Sequence, residues 1–150
     1  MEKYPLLLTQ LEQLLSLSKD AVCNMANMSS FLFNQLENLN WAGFYILRGE
    51  TLLLGPFQGK PACVRIALGK GVCGTAAQNR QTQVVADVHR FAGHIACDSA
   101  SQSEIVIPIL KGSHLWGVLD IDSPLLNRFS KKDQQFLEQT VAIFTQATCL

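Results

Sequence analysis

The stretch "EIVIPILKGSHLWGVLDID", from Glu104 to Asp122, decides the fold. Two aliphatic, β-branched runs flank the polar break Lys111-Gly112-Ser113, a pattern that specifies a β-hairpin. Its acids stand at the open end, Glu104 beginning the first strand and Asp120 and Asp122 closing the second. Period-two alternation sends Asp120 and Asp122 to one face, alongside Trp116 and Val118. A three-residue loop at Lys111-Gly112-Ser113 sets Glu104 opposite Asp120 and makes a patch of three acids. A two- or four-residue loop instead splits them between the two faces.

Working outward, "WAGFYILRGETLLLGPF" (41–57) is a second hairpin about Arg48-Gly49-Glu50, and "ACVRIAL" (62–68) is a short strand. "GKGVCGTAAQNR" (69–80) opens with glycines and continues as a short helix, while residues 83–103 read mostly as a loop long enough to be a functional lid. Tyr4, Leu7, Leu8, Leu11, Leu14 and Leu15 fall at helical spacing. Ser18 is the expected cap of a second helix, with Val22, Met25, Leu32 and Leu36 along it to about Leu39. A last helix starts at Ser130 with Asp133 at the capping-box position and Phe136, Leu137, Val141 and Phe144 inward. Helices at both ends of an antiparallel sheet make an α+β architecture, and residues 1–150 read as a single domain without internal repeats.

Twelve basic and twelve acidic residues balance to zero formal charge, and no basic cluster stands out. Nucleic acid and membrane surfaces are therefore not expected partners, and a small molecule is. Gln10, Glu12 and Gln13 interrupt the leucines that could otherwise form a signal peptide, no run approaches the roughly 20 apolar residues of a membrane span, and Cys149 is misplaced for prenylation. The expectation is a cytoplasmic protein, in which five cysteines point to thiol chemistry before structural disulfides.

Cys97 stands in a polar loop after Gly93-His94, where an imidazolium would favour a thiolate, so it is the candidate nucleophile. Cys63 and Cys73 lie beside proline or glycine punctuation and are open to either a redox or a packing role. Cys23, inside an apolar helix, is expected in the core, and Cys149 is left unassigned. No C-x-x-C pair occurs, so zinc held by His94, Cys97, Cys63 and Cys73 is disfavoured; no metal and no cofactor is expected. The acids either cap the turn that follows Asp122 or form a site in which crowding leaves one carboxyl protonated near neutrality, able to donate to a substrate oxygen. Trp41 and Tyr45, four apart on one strand, either pack in the core or line a pocket mouth. His89 and His114 belong to no constellation.

Together, "WAGFYIL", "LGPFQGKPACVRI", "GKGVCGTAA", "VVADVHRFAGHIACDSASQSEIVIPI" and "GVLDIDSP" closely resemble the free methionine-(R)-sulfoxide reductases, which are built on a GAF domain. The resemblance covers about two-thirds of the chain, from Trp41 onward, with all three cysteine spacings intact. It implies a GAF fold with the terminal helices on one face of the sheet and active-site loops on the other. It also implies that Cys97 attacks the sulfoxide sulfur and becomes a sulfenic acid, resolved as a disulfide by Cys63 or Cys73 and recycled by thioredoxin. By position, Glu104 and Asp122 engage the sulfoxide beside Asp120, Asp87 helps hold the ammonium, and Trp41 and Tyr45 wall in the methyl group. Relatives are often dimeric, which adds a homodimer to the options. Where the family commonly carries proline this chain has Ala86 and Ala92, leaving the free loop more conformations to lose on closure. The competing class is a non-catalytic GAF module that binds a small molecule or senses redox state, which has no need of a recyclable dithiol.

Overall fold

A computed structural model describes residues 3–150. Strands β5 (Ser103–Lys111) and β6 (His114–Ser123) form the central hairpin, but through a two-residue turn, Gly112-Ser113, with Gly112 at φ +62°. Lys111 pairs with His114 and Leu110 with Leu115; the register then steps to Ile109 opposite Gly117, leaving Trp116 as one extra residue in β6. This β-bulge restores the parity that a two-residue turn removes. Glu104 consequently lies opposite Asp122, and Asp120 opposite Val106. The expected three-residue loop and Glu104–Asp120 pairing are thus both corrected, yet all three acids share a face. The same bulge turns Trp116 to the other face, against Phe144 at a ring-centroid distance of 5.7 Å, and not alongside Asp120 as alternation alone predicts.

Around this hairpin the sheet runs β3-β2-β1-β6-β5-β4, with every neighbouring pair antiparallel. Strands β1 (Trp41–Arg48) and β2 (Thr51–Gly59) turn tightly at Gly49-Glu50, and β3 (Arg65–Ala67) closes that edge. Pairing of Trp41 with Asp122, Gly43 with Asp120 and Tyr45 with Val118 puts the two β1 aromatics on the acid face. The segment read as lid is partly regular. Its start, β4 (Gln83–Val85), pairs with β5 and sets Val85 opposite Glu104, and a 3-10 turn at Val88–Arg90 follows.

Each face of the sheet has its own core. On one, α1 (Tyr4–Leu15), α2 (Ala21–Gln35) and α4 (Lys131–Ala147) pack Leu11, Leu15, Met28, Leu32, Phe136 and Phe144 onto Phe44, Ile105, Leu119 and Ile121. On the other, α3 (Gly71–Asn79) sets Val72, Ala76 and Ala77 against Ile66, Val85, Val106 and Val118. Each of these Val, Leu, Ile, Phe and Met side chains, fully buried, contributes about 1.5–3 kcal/mol. The Ser130/Asp133 capping box of α4 forms, and Asp133 also accepts from Arg128 at 3.0 Å and from the Tyr4 hydroxyl. Helix α2 begins later than expected: Asp20, not Ser18, is its cap, taking the Val22 and Cys23 amides at 2.9 and 3.1 Å, and it ends at Gln35. With its apolar stripe on Met25, Met28 and Leu32, Val22 and Cys23 face solvent, so Cys23 is not a core residue. Among the described residues no helix is long and apolar enough to cross a membrane.

The bulge brings backbone against backbone: a β-carbon on Gly117 would collide with the Tyr45 carbonyl oxygen. Gly117→Ala is expected to cost about 1–3 kcal/mol in urea unfolding, as overpacking does; an unchanged midpoint would refute the close approach.

Candidate active site

The acid face carries a pocket whose floor is Glu104 from β5, Asp120 and Asp122 from β6, and Trp41 and Tyr45 from β1. Gly71, Val72 and Cys73 at the start of α3 form one wall, and His94, Ile95, Cys97, Asp98 and Ser101 of the lid form the other. Trp41 and Tyr45 serve both roles left open by the sequence, since each is only 2% exposed yet lines the pocket. Trp41 stacks on Phe57 at 5.1 Å and donates through Nε1 to the Lys60 carbonyl at 3.1 Å. The Tyr45 hydroxyl donates to the Cys63 carbonyl at 2.8 Å. The aromatic wall therefore also positions the segment that carries Cys63.

Cys63 and Cys97 form a disulfide, with α-carbons 5.5 Å apart and a sequence separation of 34, which ties the lid to the segment after β2. Cys73 is free and buried. Burial first, then the charges of Asp120 and Glu104, hold its thiol well above the usual range, so it is a protonated and weak nucleophile.

Glu104 and Asp120 are each 6% exposed, and burial together with their mutual charge determines the electrostatics. Burial, reinforced by Asp120 and Asp122, raises the Glu104 carboxyl well above its ordinary value. Burial and Asp120 raise Asp122 likewise, partly opposed by the Ser101 hydroxyl, which donates to Asp122 Oδ2 at 3.0 Å. The basic group that approaches them is His94, its Nε2 4.0 Å from Glu104 Oε1. Burial lowers the pKa of His94, so its neutral imidazole is favoured. The expected imidazolium beside Cys97 is thereby corrected: its ring is desolvated and faces Glu104. The buried oxygens Asp120 Oδ1 and Asp122 Oδ1 have no hydrogen-bond partner, an unsatisfied state that calls for a donor or a cation.

Asp87 is not brought into this ring. It caps the 3-10 turn, accepting the His89 amide at 3.0 Å with the His89 ring at 3.1 Å and Arg90 at 3.7 Å, and the amide bond above all holds its carboxyl below the usual range. Three residues were missed from sequence. Asn40 donates to Asp98 Oδ2 and to Ser101 Oγ, both at 3.0 Å, and Ser101 passes the link to Asp122. The one local signal was the Asp98-to-Ala100 turn, in which Asp98 Oδ1 accepts the Ala100 amide at 2.9 Å. Asn40 offers no comparable signal, because its partners lie 58 and 61 residues away.

A disulfide at the mouth of a pocket whose floor holds Glu104 and Asp122, both with raised pKa values, suits thiol redox chemistry coupled to proton donation. A curled antiparallel sheet with helices on one face and a lidded pocket on the other is the architecture of a GAF domain, and the GAF domain profile matches residues 9–147. The chain is 55% identical to the free methionine-R-sulfoxide reductase of Escherichia coli, over 81% of this chain and 73% of that protein. It is 46% identical to that of Saccharomyces cerevisiae, over 84% and 74%. The structure of the Staphylococcus aureus fRMsr in complex with its substrate superimposes with a TM-score of 0.94 at 49% identity, covering 99% of this chain and 97% of that one. The chain belongs to the free methionine-R-sulfoxide reductase family of GAF-domain proteins.

The raised carboxyls have a consequence for stability. A carboxyl whose folded pKa exceeds its unfolded value, about 4 for these side chains, contributes stability that is complete below that pH and is lost as pH rises through the folded pKa. Glu104→Gln/Asp122→Asn is therefore expected to melt higher than the parent near neutrality, the gap closing toward pH 4. Each kcal/mol corresponds to about 2–4 °C in a chain of this size. Calorimetry across the pH range checks it; a gap that widens toward acid would reverse the assignment.

Proposed function

We propose that the chain reduces free methionine-R-sulfoxide to methionine, with Cys97 as nucleophile, Cys63 as resolving thiol and thioredoxin as reductant. The observation that carries this reading is the Cys63–Cys97 bridge at the mouth of the three-acid pocket. The named activity of the E. coli and yeast relatives supports it.

In the reduced state Cys97 attacks the sulfoxide sulfur. The attack needs a proton on the sulfoxide oxygen, and Glu104, whose carboxyl is raised well above its ordinary value by burial and the neighbouring aspartates, is the acid to supply it. Oxygen passes to Cys97 as a sulfenic acid, and methionine leaves with its sulfur reduced. Cys63 then attacks the sulfenic sulfur, forming the disulfide and releasing the oxygen as water. A dithiol reductant breaks the bridge by exchange and is itself oxidised to a disulfide. Cys73 stays out of this cycle, because burial holds its thiol protonated and Cys63 is the partner bonded to Cys97.

Trp41 and Tyr45 take the methyl group, and Asp120, whose buried Oδ1 has no hydrogen-bond partner, takes the ammonium. Asp87 contributes through the shape of the lid, whose turn it caps. Closure draws on a lid with Ala86 and Ala92 where the family commonly has proline, so ordering it on binding costs more entropy. The same reading takes residues 1–150 as one domain that works in the cytoplasm, with a homodimer as its assembled state.

Turnover of the R and S epimers of free methionine sulfoxide, driven by dithiothreitol or by thioredoxin, tests the proposal. The R epimer alone should be consumed, and Cys97→Ser should abolish turnover with both reductants. Cys63→Ser should lose mainly the thioredoxin-driven rate, and Glu104→Gln should lower kcat by about 10²–10⁴, the usual contribution of a general acid. Substrate binding with no methionine formed would favour the binding or sensing module, and full activity in Cys97→Ser would sink the assignment.

A further inference from the structure

Cys73 is the buried nucleophilic group that the thiol cycle leaves unused. Its sulfur, a carboxylate oxygen of Glu104 and a carboxylate oxygen of Asp120 all lie within 4.8 Å of one another. The three residues are 4%, 6% and 6% exposed, and all of them border the pocket. Independently, Asp120 Oδ1 is buried on the pocket floor without a hydrogen-bond partner, a condition that a bound donor or cation would relieve.

We infer that Cys73, Glu104 and Asp120 form a site for a soft divalent cation of the zinc class, entered through the pocket. Zinc takes thiolate at about 2.3 Å and carboxylate oxygen at about 2.0–2.2 Å, so ligand atoms around it stand roughly 3–4 Å apart. The trio therefore needs to close by only about 1 Å. Its one sulfur and two oxygens suit a four-coordinate ion with an open position, whereas magnesium and calcium call for six or more oxygens. The open position faces the lid, where water, or the Cys97 thiolate once the disulfide is reduced, would complete the shell.

Binding exchanges protons for metal: the Cys73 thiol and any protonated carboxyl must release theirs, so affinity rises with pH. The groups facing this centre are Glu104 from β5, Asp120 and Asp122 from β6, Tyr45 from β1, Lys70 at the start of α3 and His94 from the lid. A cation there occupies two of the carboxyls assigned above to substrate, so it acts as an inhibitor that blocks the pocket. The binding itself is independent of that assignment.

The test uses the disulfide form of the full chain carrying Cys23→Ser and Cys149→Ser, which removes the two exposed thiols and leaves Cys73 as the one free cysteine. Titration with Cd²⁺, without substrate, is followed by equilibrium dialysis and by the thiolate-to-cadmium charge-transfer band. One Cd²⁺ per chain with that band is expected, displaced by Zn²⁺. Cys73→Ser should remove the band, and Asp120→Asn, an isosteric change that keeps the thiol, should weaken binding by at least about tenfold. No Cd²⁺ binding, or binding that both substitutions leave unchanged, would overturn the site.

Discussion

The gathering of the three acids on one face depends on one extra residue in a strand. A β-strand shows alternate side chains to opposite sides, so a tight two-residue turn between β5 and β6 would by itself send Glu104 and the two aspartates to different faces. The bulge at Trp116 adds the missing residue, restores the parity and places Glu104 directly across from Asp122. It also sends Trp116 to the helix side, where it fills space beside Phe144, while Val118, Asp120 and Asp122 stay on the pocket side. Packing and site assembly are thus two results of the same irregularity.

Gathering three carboxyls under a lid runs against stability. Two unit charges about 5 Å apart at an effective dielectric near 20 repel by about 3 kcal/mol, and removing each from water costs more. The protein answers partly by retaining protons: Glu104 and Asp122 titrate well above ordinary carboxyls, and the Ser101 hydroxyl supplies a neutral donor. The rest is borne by the surroundings. Two separate apolar cores, one under α1, α2 and α4 and one under α3, hold the sheet rigid on both sides of the cluster.

The lid joins the acids to the thiols through polar links of long sequence separation. Asn40, just before β1, holds Asp98 and Ser101, and Ser101 holds Asp122. The Cys63–Cys97 bridge fastens the same segment on its other side. Bridge and hydrogen bonds together hold residues 97–101 over the acids.

Much of this molecule was legible in its residues. The two hairpins, the α+β class and the capping box at Ser130 are local properties, written in periodicity and in the character of neighbouring residues. The resemblance to the reductase family likewise rests on short motifs. Local signals failed at α2, where Asp20 and not Ser18 is the cap, and where packing of Met25, Met28 and Leu32 against the sheet leaves Cys23 outside. What only the tertiary structure decided is pairing across distance. The turn length and bulge that set Glu104 against Asp122, the choice of Cys63 over Cys73 as partner of Cys97, and the Asn40–Ser101–Asp122 chain all join residues far apart in sequence. Their partners are selected by the packing of the two cores and the register of the sheet, and a sequence pattern, which reports only what each short segment prefers, does not contain that selection.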